Sequence, residues 1–73
     1  MIIHKHDIIK VIIDKYIEYP GGQWADHFIK KAVLYRVKTE PTNNGNFTAV
    51  TSTGKLTHFN IMNKNIITVY SRG

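Results

Sequence analysis

Three clusters of turn-forming residues cut the second half of this chain into short runs. Runs so short, and so rich in β-branched and aromatic residues, fit extended backbone better than helix. The clusters are "EPTNNGN" at residues 40 to 46, the pair Thr53 and Gly54, and Asn63 to Asn65. Between and after them lie "FTAVTS", "KLTHFNIM" and "IITVYSR". Ahead of them Val33, Tyr35 and Val37 recur at every second position, so a further strand is expected from about Ala32 to Thr39. Four strands joined in sequence by tight turns predict an antiparallel meander.

The first third reads differently. Asp7 is placed to cap a helix, and Ile8, Ile9, Ile12, Ile13, Tyr16 and Ile17 recur at helical spacing. Stepped at 100° per residue they cover about half a cylinder, with Lys10, Asp14 and Glu18 on the other half. Pro20, Gly21 and Gly22 end the run, since proline cannot continue the hydrogen-bond ladder. A helix over residues 8–18 follows, and its β-branched content means that packing on the sheet must hold it. Residues 23–31 fit both periods, which leaves room for a short second helix there. The expected fold is a single α+β domain over residues 1–73, an N-terminal helix packed on a four-stranded antiparallel β-meander.

Register then sorts the side chains. A three-residue loop at Asn63 to Asn65 sets Ile61 opposite Ile67 and Phe59 opposite Val69, making these four one apolar face. A two-residue turn at Thr53 and Gly54 adds Thr48 and Val50 to it, and the first strand adds Val33, Tyr35 and Val37. The opposite face is left with Leu34, Arg36, Lys38, Phe47, Ala49, His58, Asn60, Thr68, Tyr70 and Arg72.

Charge gives that second face a possible use. Ten Lys and Arg against five Asp and Glu leave a formal charge of +5, which draws a protein toward polyanions. Sheets that bind single-stranded nucleic acid stack bases on rings, neutralise phosphates with cations and read base edges with amides. Arg36, Lys38, Phe47, His58, Asn60, Tyr70 and Arg72 supply all three. The expected function is thus a non-enzymatic, small basic binding protein for RNA or single-stranded DNA. The alternative is an accessory or inhibitory protein, of phage or mobile-element origin, that binds a host protein through the exposed sheet or through Trp24, with charge serving to steer the encounter.

Other chemistries find little support. With no cysteine there is neither a disulfide nor a thiolate site, which fits a reducing, cytoplasmic setting. No apolar stretch reaches membrane-spanning length. His4 and His6 form a His-x-His pair, but two ligands without a telling Asp or Glu do not make a metal centre, even with His27 and His58 considered. Asp26 and His27 are neighbours and point apart on a helix, and Ser52 and Ser71 have no visible base. No cofactor motif follows Gly21 and Gly22. A core this small yields about 3 to 5 kcal/mol, so association of copies is a reasonable expectation.

Overall fold

A computed structural model describes residues 2–17 and 27–73, with the backbone alone at 16, 17, 27 and 28. Among these residues there is no helix. The strands are β1 (Ile8–Val11), β2 (Lys15–Ile17), β3 (His27–Ile29), β4 (Leu34–Val37), β5 (Asn46–Val50), β6 (Leu56–Asn60) and β7 (Ile67–Ser71). Five form one sheet in the order β6-β5-β4-β1-β7, and β2 pairs with β3. Every pairing is antiparallel.

The expected α+β fold is therefore corrected to an essentially all-β one. The segment read as an N-terminal helix is two strands separated by a bend. Val11, outside the helical stripe, is fully buried, whereas Ile13, inside it, is 40 % exposed. The physical reason is the bend. It lies between Val11 and Lys15 and shifts the phase of the alternation, so that isoleucines on two strands imitate a 3.6-residue repeat. Their β-branched side chains favour the extended form. The short second helix expected near 23–31 falls partly outside the described residues, and its described part, His27–Ile29, is strand.

β1 to β2 and β3 to β4 form one bent antiparallel pair of segments. Lys10 faces Leu34, and Lys15 faces Ile29 in the same register beyond the bend. At the bend the Asp14 carboxylate accepts the Lys31 amide at 2.6 Å, replacing a ladder bond, and Ala32 takes a positive φ of 73°.

The chain then continues as the expected meander through β4, β5 and β6, but β6 does not pair with β7. Turns over residues 60–67, closed by Asn63 and Ile66 amides on the Asn60 and Asn63 carbonyls, carry the chain to the other edge of the sheet. There β7 pairs with β1, the strand that takes the place of the expected helix.

Two further turns share one design. In each, a threonine amide donates to the carbonyl four residues on, a glycine amide donates back to the threonine carbonyl, and the threonine hydroxyl accepts the amide of the residue after the glycine. The pairs are Thr42 with Gly45 and Asn46, and Thr51 with Gly54 and Lys55. Both glycines have positive φ, 84° at Gly45 and 88° at Gly54, the left-handed position of a three-residue hairpin loop. Because the second turn has three residues and not two, Val50 pairs with Leu56, and β5 is turned over relative to the register read from sequence. Phe47 and Ala49 consequently face inward, and Thr48 and Val50 outward.

The core lies on the inner face. Ile9, Val11, Tyr35, Val37, Phe47, Ala49, Phe59 and Ile67 come from the five strands of the main sheet, and Ile3, Ile29 and Ile66 close the cluster from flanking segments. Tyr35 and Phe59 meet edge to face at a centroid distance of 5.2 Å, and Phe47 stacks on Phe59 at 5.9 Å. No helix covers this face among the described residues; Ile3, Ile29 and Ile66 pack against it from flanking segments.

The two ends of the chain meet at Asp7, which caps no helix. Its buried carboxylate accepts the His4 amide at 2.9 Å, the Arg72 guanidinium at 2.8 Å and the Gly73 amide at 3.1 Å. Arg72 also donates to the Ile2 carbonyl. The His4 amide is the main cause holding the Asp7 pKa below its ordinary value, aided by Gly73 and Arg72 and opposed by burial.

Candidate nucleic-acid interface

The outer face is built by the same ladders that build the core. One row of side chains crosses all five strands in the order Ser71, Ile8, Arg36, Val50, Leu56. Beside it run Thr68, Lys10 and Leu34 on one side, and Thr48 with His58 on the other. A groove of about 950 Å³ lies over part of this lattice. Its floor includes Ile8, Leu34, Arg36 and Val50, one wall is Tyr70 with Ser71, and the other is the turn from Thr51 to Lys55.

A β-bulge aims Tyr70 at this groove. Ile9 pairs with Val69 but Ile8 pairs with Ser71, so Tyr70 is the extra residue and stands beside Ser71 on the outer side. Bulges of this kind commonly re-aim a side chain next to a functional site. Tyr70 is 60 % exposed, and the Lys10 ammonium lies 5.9 Å from its ring centroid, within cation–π range.

The electrostatics are one-sided. Arg36, Lys30 and Lys55 line the groove, with Lys10 beside it. None of the acidic residues described reaches it: Asp7 is buried with Arg72, Asp14 holds the bend, and Glu40 pairs with His4 at 3.5 Å and accepts the Lys5 amide.

The residues singled out from sequence divide in two. Arg36, Lys38, His58 and Tyr70 are exposed, and Arg36, His58 and Tyr70 stand on the outer face. The other three are engaged elsewhere. Phe47 is in the core, so its ring is closed to any base. Asn60 spends its amide on the Asn44 carbonyl, the Asn46 side chain and the Met62 amide, bracing two loops. Arg72 is held in the clasp at Asp7. Trp24 lies outside the described residues. Sequence reasoning missed Lys10, Lys30 and the hydroxyl-bearing turn at Thr51 to Lys55. The signal for that turn was present as a Thr-x-x-Gly spacing that occurs twice, at Thr42 and at Thr51.

Among the described residues no group of three or more His, Asp or Glu side chains is arranged to hold a metal ion, and no helix is long and apolar enough to cross a membrane. Comparison with protein-family models, with characterised proteins and with solved structures finds no match.

Proposed function

We propose that the protein is a non-enzymatic binding module that holds single-stranded nucleic acid against the outer face of its sheet. The observation that carries this reading is the groove itself, where a bulge turns Tyr70 outward among Lys10, Lys30 and Arg36 and no acidic residue described opposes them. A base stacked on Tyr70 and phosphates drawn to the cations use that chemistry directly. Fluorescence anisotropy with labelled single-stranded RNA and DNA tests it. Affinity should fall steeply with added salt, and Arg36→Glu should weaken binding across all sequences and flatten the salt dependence. No binding at low salt overturns the proposal.

A second reading has its own observation. Ile8, Val50 and Leu56 share the row that Arg36 crosses, and Leu34 lies alongside, giving the face an apolar strip suited to a protein partner. Such an interface would tolerate salt, which separates it from the first.

A further inference from the structure

Across the strands the groove is bounded by Tyr70 on one side and by the Thr51 turn on the other, and that sets how much of a strand crossing the sheet it can hold. From Tyr70 on β7 to the Thr51 turn at the end of β5 the path crosses β1 and β4, three strand spacings or about 14 Å. Stacked nucleotides rise about 3.4 Å each, so the span fits about four stacked units and fewer extended ones. Its volume of about 950 Å³ is at the upper end of ligand-sized pockets. The floor offers Arg36 for phosphate, and the far wall offers the Ser52 side chain, which can donate to or accept from a phosphate or sugar oxygen.

Resting on the reading above, we infer that this groove is a bounded site for a short oligonucleotide segment of about two to four units, with one base on Tyr70 and the strand ending at the Ser52 turn. Binding energy then stops growing once the segment fills the groove. A general electrostatic surface behaves otherwise, because each added phosphate releases further counterions.

The twin turn supplies an internal control. Asn43 occupies in the Thr42 turn the place that Ser52 occupies in the Thr51 turn, and Asn43 does not line the groove. The test is anisotropy on the full chain with labelled oligouridylates and oligothymidylates of increasing length at low salt. Affinity should rise up to the tetranucleotide and then, after allowance for the number of registers a longer strand offers, change less than about twofold. Ser52→Glu should weaken tetranucleotide binding about tenfold while Asn43→Glu, with the same change in charge, leaves it unchanged; thermal melts of both confirm folding.

Steady tightening with length, together with equal losses in the two variants, overturns the bounded site but leaves nucleic-acid binding standing. No binding at any length overturns both. Tighter binding of an oligoglutamate of matched charge moves the groove to acidic protein segments and removes the oligonucleotide assignment.

Discussion

The two faces of the main sheet carry similar rings to opposite ends. Phe47, on β5, stacks on Phe59 at the inner face and is 2 % exposed, whereas Tyr70, on β7, stands in solvent beside Lys10. The two arginines of the outer-face reading differ in the same way. Arg72 is fixed by Asp7, and Arg36 lines the groove. The inner face gains from excluding water, and among the described residues the buried charged side chain there is Asp7, which its clasp satisfies. The outer face displays cations that no carboxylate among the described residues is seen to oppose, an arrangement that suits the proposed anionic partner. The proposed function would thus place stability and binding on the two sides of one sheet, a separation that mutation can test.

The largest effect is expected at the inner face. Phe47→Ala should cost about 3 to 5 kcal/mol, comparable to the whole net stability of a domain this size, and leave the chain largely unfolded by circular dichroism. Next come the two glycine turns, which share a backbone and differ in surroundings. A Cβ at Gly45 would stand 2.6 Å from Ile61 Cγ1, while at Gly54 it would meet nothing within 4 Å. Both changes carry the left-handed backbone cost of about 1 to 2 kcal/mol, so denaturant melts should rank Gly45→Ala clearly below Gly54→Ala. Equal melts would mean that the Gly45 turn does not press on Ile61.

Asp7→Asn should cost about 2 kcal/mol at neutral pH, through weakened charge-assisted hydrogen bonds. The folded-state pKa of Asp7 is depressed, so its contribution is present above the unfolded value near 3.9 and is lost as pH falls through the lower folded value. The difference between parent and Asp7→Asn should therefore shrink below about pH 4, measurable as converging melting temperatures.

Much of the inner face was legible in the sequence. Tyr35, Val37, Phe59, Ile67 and Val69 alternate cleanly, and each faces the core. What failed was long-range or depended on one residue of loop length. β5 turned over because Gly54 closes a three-residue loop, and that moved Phe47 off the candidate site. β1 looked helical because the bend after Val11 breaks its period. The pairing of β7 with β1 joins segments nearly a chain length apart, which no local pattern reveals, and the same is true of Arg72 with Asp7. Tyr70 was found by alternation alone, although the bulge that aims it was not.

The central claim, that the outer face binds without holding the fold together, is tested most directly by Tyr70→Ala in paired thermal-melt and anisotropy measurements with a single-stranded tetranucleotide. The melting temperature should move by no more than a few degrees, because an exposed ring contributes about 0.5 kcal/mol or less, while binding weakens about tenfold with loss of the stacking platform. A melt depressed as far as that of Phe47→Ala, or binding equal to the parent's, would contradict the account.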